Sequence, residues 1–137
     1  AQGALWISNR GTGARRLQSG LHGVSNALLD TPWPKLVSVR ARLSAWVAAG
    51  DADPEPLFAA LADRSRAADA HLPATGVPLE TERMLSSPFI VSVDYGTRCS
   101  TLVRVEHDGR TVVHERRFDA RGAESGSSRF EFQCGTR

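Results

Sequence analysis

The strongest constraint on the fold is a turn signal, Asp108-Gly109, between two stretches of alternating apolar and polar residues. Asp-Gly suits a two-residue hairpin loop, because both central positions of that loop take positive φ. A two-residue loop places Val105 opposite Val112 and Val103 opposite His114. We therefore expect an antiparallel hairpin with one largely apolar face and one charged face. The charged face would carry Arg104, Glu106, Glu115 and Arg117.

A helical period occupies the middle of the chain. Apolar residues recur at spacings of three and four between Pro34 and Gly50, which suit the first turn and the end of a helix. Asp53-Pro54 predicts the start of a second helix, since an acceptor side chain precedes a proline. Residues 79–85 predict a short third helix.

Strands are predicted on both sides of the helices. They comprise residues 5–7, 20–26, 89–91 and 129–132 besides the hairpin, with a tight turn at 9–13 and a Gly/Ser-rich loop at 120–128. The order of strands, then helices, then an antiparallel run predicts an α+β fold and not an alternating βαβ chain.

The basic residues do not form a nucleic-acid-binding pattern. All but one of the 17 basic residues are arginine, Lys35 being the exception, and 15 acidic residues are interleaved with them. A nucleic-acid binder concentrates its basic groups in a stripe or a tail. The arginine excess is typical of a GC-rich coding bias, with phosphate binding as a weaker alternative. We expect no nucleic-acid partner.

Cysteine and histidine usage excludes two further classes. The 2 cysteines rule out a disulfide scaffold, and the 4 histidines lack the spacing of a zinc site, so no metal site is predicted. No apolar run approaches the roughly 18 residues that a membrane-spanning helix needs. With no visible targeting segment, we expect a cytoplasmic protein without a membrane span.

Two glycine-containing segments match catalytic motifs only in part. Residues 23–27 nearly match the Gly-x-Ser-x-Gly nucleophile elbow, but Ala27 replaces the last glycine. Residues 9–13 are glycine-rich but lack the Gly-Lys-Ser/Thr ending of a phosphate loop. A strand end closed by small residues and a tight hairpin turn are the simpler interpretations.

Two polar segments carry side chains suited to a ligand site. Residues 26–35 place an amide, a carboxylate, an indole and an ammonium group just before the first helix. The Asn26 amide can donate to a developing oxyanion, or it can tie down a loop, and the second role is the commoner one. Residues 95–98 form a second polar corner, where Arg98 can recognise an anion or form a surface ion pair.

Several blocks together resemble the NRDE family, also called the transport and Golgi organization 2 family. The resemblance covers roughly residues 5–132, and its two most specific blocks are Ser25–Trp33 and Tyr95–Arg98. The other matching blocks are Ser8-Asn9-Arg10, Leu72-Pro73, Thr75-Gly76-Val77, Glu82-Arg83, Leu85-Ser86, Phe89-Ile90, Ser100-Thr101 and Arg117-Phe118-Asp119.

The resemblance implies a fold and one catalytic role. The family is similar to N-terminal-nucleophile hydrolases, so the implied fold is part of an αββα sandwich with antiparallel strands. Members of the family usually begin Met-Cys-Thr, and for an enzyme the resemblance implies that this cysteine is the nucleophile. An Asn-Arg-Asp-Glu motif follows on an early strand; both are absent here. Asn26 matches the asparagine that contributes to the oxyanion hole in related amide hydrolases. Cys99 stands where the family often has serine and is not the nucleophile.

Three functions are compatible with the resemblance. The first is that the intact protein handles haem or a lipid or acyl ligand; the sequence requires no cofactor, and haem would be a ligand. The second is that it is a cysteine N-terminal-nucleophile amidohydrolase or acyltransferase. The third is a structural module without its own site. The expected ligand-binding residues are Ser25, Asp30, Trp33, Lys35, Tyr95 and Arg98.

Residues 1–137 are expected to form a single incomplete domain, the downstream part of an NRDE-family domain. Its implied partner is the N-terminal half of the same domain. The isolated chain should show no amidase activity, because it lacks the nucleophile. It should also be poorly soluble, because strands such as residues 5–7 would expose edges that the other half covers.

Overall fold

A computed structural model of the chain describes residues 4–11 and 13–135. The described residues form a mixed α/β fold with antiparallel sheets, which agrees with the predicted α+β class. The elements in chain order are β1 (Leu5–Ile7), β2 (Ala14–Arg16), α1 (Pro34–Ala49), α2 (Glu55–Leu61), a 3₁₀ turn (Asp69–His71), α3 (Leu79–Leu85), β3 (Cys99–Val105), β4 (Arg110–Phe118) and β5 (Glu124–Gln133). One sheet is the β1–β2 hairpin, and the other has the order β3-β4-β5.

The first strand is confirmed, but the second predicted strand is wrong. The predicted turn at 9–13 lies between β1 and β2, and its residue 12 is outside the described residues. β1 pairs antiparallel with β2, so residues 14–16 and not residues 20–26 form the second strand. Residues 20–30 instead form bends and turns. Here the Asp30 carboxylate accepts a hydrogen bond from the backbone N–H of Gly23, and the Asp30 N–H donates to the Gly23 carbonyl. These bonds close a local loop, so Gly23 pairs within its own segment and not with a neighbouring strand.

The helices begin and end where local signals place them. Pro34 starts α1, and Gly50 ends it with a φ of 63°, its N–H donating to the Val47 carbonyl. The Asp53 carboxylate accepts the Glu55 N–H at 3.0 Å, which satisfies one of the free donors at the start of α2. The third helix covers residues 79–85 as predicted.

The C-terminal hairpin forms, but in a register shifted by one residue. Val105 pairs with Thr111 and Val103 with Val113, because the loop has three residues, 107–109, and not two. In the loop only Gly109 takes positive φ, at 88°, whereas a two-residue loop of the expected type needs two such residues. Because of this one-residue shift, Val103 and Val105 lie on the opposite face of the sheet from Val112 and His114, although the sequence predicted all four on one face.

Large apolar side chains are exposed on the outer face of the β3-β4-β5 sheet. Val103, Val113 and Phe130 are aligned across the outer face of the β3-β4-β5 sheet, and Val105, Thr111 and Phe132 form the next row. The Phe130 side chain is 62% exposed. The charged face predicted from the hairpin is therefore wrong for Arg104 and Glu106, which lie on the inner face with Val112, whereas Glu115 and Arg117 lie on the outer face.

The inner face of this sheet packs against α2. Phe58 is 2% exposed, and its ring contacts the His114 ring edge-on at a centroid distance of 4.7 Å. The Arg116 guanidinium lies over the same ring at 4.0 Å and pairs with Glu55. A second aromatic pair, Phe89 and Phe118, joins the segment after α3 to the end of β4.

Two strand boundaries differ from the sequence prediction. The last strand begins at Glu124, so half of the predicted 120–128 loop is sheet. Ser and Gly residues on an edge strand carry little β propensity, and pairing with the longer β4 decides their conformation. The predicted strand at 89–91 is reduced to an isolated bridge between Val91 and Gly96. Both Phe89 and Ile90 are nevertheless buried.

The conformation of Gly109 in the hairpin loop leads to a testable prediction. A Cβ at position 109 would collide with the Cys134 carbonyl, and the residue has a positive φ that L side chains rarely adopt. Gly109→Ala is therefore expected to lower the free energy of unfolding by about 1–3 kcal/mol, measured by urea denaturation. Gly135→Ala is the matched control, since nothing lies within 4 Å of its added Cβ. Equal stability of the two variants would contradict this conformation of Gly109.

Candidate ligand-binding site

A cleft of about 680 Å³ lies beside the N-terminal end of α1. Residues 26–35 form one side of the cleft, and residues 73–86 form the other. Its size is in the range of small-molecule sites, which span roughly 300–1,000 Å³. The cleft therefore brings together two segments that are far apart in the sequence.

The lining of the cleft is amphipathic. Its apolar wall consists of Ala27, Leu28, Trp33, Pro34, Pro73, Val77 and Leu85. Two cationic side chains, Arg10 and Lys35, and the Asn26 amide lie in the same cleft. A mostly apolar wall with a few convergent polar groups is typical of sites for small organic ligands.

The Asn26 amide is held in one orientation. Lys35 Nζ donates to Asn26 Oδ1 at 3.1 Å, and Ser25 Oγ lies 3.4 Å from the same oxygen. Because an ammonium group can only donate, the carbonyl end of the amide must face Lys35. Among the described residues, Nδ2 has no hydrogen-bond acceptor. The amide thus presents a free, oriented N–H donor.

Lys35 is a partly buried cation without an acidic partner. Burial lowers the pKa of its ammonium group from the usual 10.5. Its Nζ lies 5.9 Å from the centroid of the Trp33 ring. No carboxylate within the described ranges lies within 4 Å of it, whereas Arg42, Arg83 and Arg116 each pair with one. An anionic ligand would supply the missing negative charge.

Arg10 adds a second positive charge from the β1–β2 turn. Its Nη1 donates to the Asn26 backbone carbonyl at 3.1 Å, which joins the N-terminal turn to the loop that carries the amide. The turn signal at residues 9–13 predicted this turn, but it did not predict that Arg10 reaches the cleft.

Glu82 shapes the opposite side of the cleft. This residue of α3 is only 6% exposed, and its carboxylate accepts the backbone N–H groups of Ala74 and Thr75 and the Thr75 hydroxyl. These bonds, those from Thr75 first, lower the pKa of the Glu82 carboxyl group from its usual value. Glu82 therefore closes the loop at 73–77 and is not itself available to a ligand. Sequence reasoning gave it no role.

We expect Glu82→Gln to loosen this loop. The amide can accept only one of the backbone N–H groups well, so the hydrogen-exchange protection of Ala74 and Thr75 should fall. In the wild-type protein the same protection should be present above about pH 4.5, the usual pKa, and be lost as the pH falls through the lower folded-state pKa. Glu80→Gln on the same helix is the control, because Glu80 contacts Arg83 and not the loop. Unchanged exchange in Glu82→Gln would contradict this role.

Asp30 lies behind the cleft and does not line it. Its carboxylate accepts hydrogen bonds from His22 Nδ1 at 2.8 Å, from Gly23 N–H at 2.9 Å and from Arg40 Nη1 at 3.4 Å. All three partners are protein groups, and Asp30 is not among the residues that line the cleft.

Tyr95 and Arg98 line a different pocket. This second pocket has a volume of about 130 Å³ and also contains Asp94 and Asp119. A turn closed by Ser92 and Tyr95, together with a bond from Ile90 N–H to Thr97 Oγ1, shapes it. The residues expected to bind one ligand are therefore divided: Trp33 and Lys35 line the cleft, Tyr95 and Arg98 line the second pocket, and Ser25 and Asp30 line neither. Asn26, the expected oxyanion contributor, lines the cleft.

The partial nucleophile elbow does not assemble a catalytic triad in the described part of the chain. Ser25 Oγ contacts the Asn26 amide, and His114 packs against Phe58 in the sheet. Across residues 4–11 and 13–135, no three His, Cys, Asp or Glu side chains converge as a metal site would require. None of the helices described is long and apolar enough to cross a membrane.

These features define a mixed α/β protein with antiparallel sheets and an amphipathic cleft. The family described as Transport and Golgi organisation 2 matches residues 1–120 of the chain. The chain belongs to this family, and the resemblance inferred from the sequence motifs is confirmed.

Two curated relatives bear the same family name. The chain is 35% identical over 108 residues to the Transport and Golgi organization protein 2 homolog of Homo sapiens, and 37% identical over 109 residues to that of Bos taurus. Each match covers 73% of this chain and 39% of the relative. The chain therefore spans about two fifths of the length of the relatives that it matches.

Proposed function

We propose that the intact protein binds an anionic amphipathic ligand, such as haem or an acyl thioester, in the cleft between residues 26–35 and 73–86. The observation that carries this proposal is the Lys35 ammonium group, which is partly buried beside an apolar wall and has no carboxylate within 4 Å among the described residues. A buried cation without a counterion is costly, and an anionic ligand would remove that cost.

The lining suggests how such a ligand would lie. A propionate or phosphate group would meet Lys35 and the free N–H of Asn26. The apolar body would pack on Trp33, Leu28 and Leu85. Handling of haem or a lipid ligand in this way needs no nucleophile, and so it does not depend on a catalytic residue in this chain.

A visible-absorbance titration with haemin on the full-length protein tests the proposal, with palmitoyl-coenzyme A as a competitor. Saturable binding without hydrolysis of the thioester supports a ligand carrier. Asn26→Ala should weaken binding about tenfold or more, the loss expected for one hydrogen bond to a charged group. Arg98→Gln is the matched control, because Arg98 lies in the smaller pocket. Absence of saturable binding to either probe would overturn the proposal.

The second candidate function is an N-terminal-nucleophile amidohydrolase. The oriented and unbonded Nδ2 of Asn26 favours it, because an oxyanion hole needs a donor that is fixed before the reaction. The nucleophile would come from outside residues 1–137. If the full-length protein hydrolyses acyl amides, Asn26→Ala should lower kcat by about 10²–10³, whereas a carrier would show no turnover. The structural module without a site remains if neither probe binding nor turnover is found.

The same proposal includes a partner within the protein. The outer face of the β3-β4-β5 sheet exposes Val103, Val105, Phe130 and Phe132. We propose that the remaining part of the same domain covers this face, completing a sandwich of the αββα type. The relatives, of which this chain matches 39%, are long enough to contain such a part.

A further inference from the structure

The loop that carries Asn26 is closed at its base by one residue. Asp30 Oδ1 accepts the Gly23 N–H at 2.9 Å, and the Asp30 N–H donates to the Gly23 carbonyl at 2.8 Å. Asp30 takes a left-handed backbone conformation, with a φ of 59°. This conformation is uncommon outside glycine, and aspartate and asparagine adopt it more readily than most residues. Ser25 and Asn26 lie within the closed loop.

A histidine holds the second oxygen of the same carboxylate. His22 Nδ1 lies 2.8 Å from Asp30 Oδ2, and His22 Nε2 lies 3.1 Å from the Gln18 carbonyl oxygen. Both neighbours are acceptors, so both ring nitrogens must carry hydrogen to satisfy them. Only the protonated imidazolium meets this condition, whereas the neutral ring loses one of the two bonds.

We propose that Asp30 is a positioning residue for the Asn26–Lys35 pair, held by protonated His22, so that affinity for an anionic ligand falls when His22 loses its proton. This inference rests on the proposed ligand-binding function and assigns its regulation. Asp30 does not touch the ligand; it fixes the loop backbone, and the loop brings Asn26 Oδ1 to Lys35 Nζ.

The charges around His22 determine the direction of the pH effect. The hydrogen bond to Asp30 and then the Gln18 carbonyl raise the pKa of His22 from its usual 6.5, and Arg15 on β2 opposes them. The bond from His22, and then the Gly23 N–H, lower the pKa of Asp30, which stays ionised. The stabilisation is therefore complete below pH 6.5 and is lost as the pH rises through the higher folded-state pKa of His22. Arg40 on α1 keeps its contact with Asp30 throughout.

The loop can be tested without any ligand. Amide hydrogen exchange of Gly23 and Asp30, expressed as protection relative to the free-chain rate, is measured on the full-length protein from about pH 6 to about pH 9. Wild-type protection should fall across this range. His22→Gln should give low protection that stays constant across this pH range, because the titrating imidazole has been removed. Asp30→Asn keeps the acceptor for Gly23 and the tolerance of positive φ, so it should retain part of the protection with a flat pH profile. Asp30→Ala should lose the protection.

The ligand test uses haemin as the probe. Between the two ends of the pH range, the dissociation constant of the wild-type protein should rise about three- to tenfold more than that of His22→Gln. This factor corresponds to the net contribution of one ordinary hydrogen bond. Lys35 is present in both proteins, so its contribution to the pH dependence of haemin affinity cancels when the two proteins are compared. Asp119→Asn is the matched control, because Asp119 also closes a loop, by accepting the N–H groups of Arg121 and Ala123.

The outcomes separate this inference from the proposed function. If wild-type and His22→Gln proteins have the same Gly23 protection and the same pH profile, the positioning role of Asp30 and His22 is wrong, whether or not haemin binds. If the protection profiles differ as expected but haemin does not bind, the proposed ligand fails, and the regulation of ligand affinity fails with it. If haemin binds with the same pH dependence in both proteins, Asp30 acts only on loop stability and the inference is overturned.

Discussion

Replacing Phe58 by alanine is expected to lower the free energy of unfolding by about 3–5 kcal/mol. The ring is 2% exposed and is the main apolar link between α2 and the inner face of the sheet. Its removal leaves a cavity next to His114 and deprives the Arg116 guanidinium of the ring that it covers. Because domains of this size are stable by only about 5–15 kcal/mol, the loss is large. Urea denaturation followed by tryptophan fluorescence measures it.

Two variants control for this effect. Phe58→Leu keeps most of the apolar volume and should lose mainly the aromatic contribution of about 0.5–1.5 kcal/mol. Val93→Ala changes a side chain that is 96% exposed, and its effect should stay within about 0.5 kcal/mol. Equal stabilities of Phe58→Ala and Val93→Ala would mean that α2 does not pack on the sheet in solution.

Replacing Lys35 by glutamine should change ligand affinity and stability in opposite directions. Haemin affinity should fall about tenfold or more, because a hydrogen bond to a charged group is worth about 1.5–3 kcal/mol. Without ligand, the free energy of unfolding should stay the same or increase, because a partly desolvated cation with no carboxylate within 4 Å in the described ranges is removed. A side chain that merely supports the fold would lower both quantities together.

The pH dependence provides a second measurement on Lys35. Burial lowers the pKa of Lys35 below 10.5. As the pH rises, haemin affinity should therefore begin to fall at a lower pH than it would if the binding lysine were exposed. Lys35→Arg should keep the affinity at high pH, since the guanidinium remains charged. Arg129→Gln, on the exposed strand β5, is the control for the loss of one positive charge. Equal haemin affinities of wild type and Lys35→Gln would exclude the cleft as the anion site.

Local signals in the sequence predicted the helices well. Pro34 and Gly50 bound α1, and residues 79–85 form α3, because proline at a helix start and glycine at a helix end act through their own backbone geometry. The position of the hairpin was also predicted from a local signal. Its register was not, because the backbone conformation of Asp108 decides between a two- and a three-residue loop. The residue types at 108 and 109 do not determine that conformation.

The candidate site was predictable on one side only. Asn26, Trp33 and Lys35 are close in sequence, so their joint presence in the cleft follows from one short segment. The opposite wall depends on Glu82 and residues 73–77, about 50 residues further along the chain, and no periodicity indicates that these two segments meet. The role of Asp30 in closing its loop was also not predictable, because it depends on the hydrogen bonds to His22 and Gly23 and not on the residue type alone.

No residue of the β3-β4-β5 sheet lines the cleft between residues 26–35 and 73–86. A substitution in the sheet and a substitution in the cleft therefore change no common residue of the cleft lining. Their effects on the free energy of unfolding should add. The sheet can therefore accumulate stabilising changes without altering the ligand site. That reserve would offset the desolvation cost of a partly buried cation at position 35.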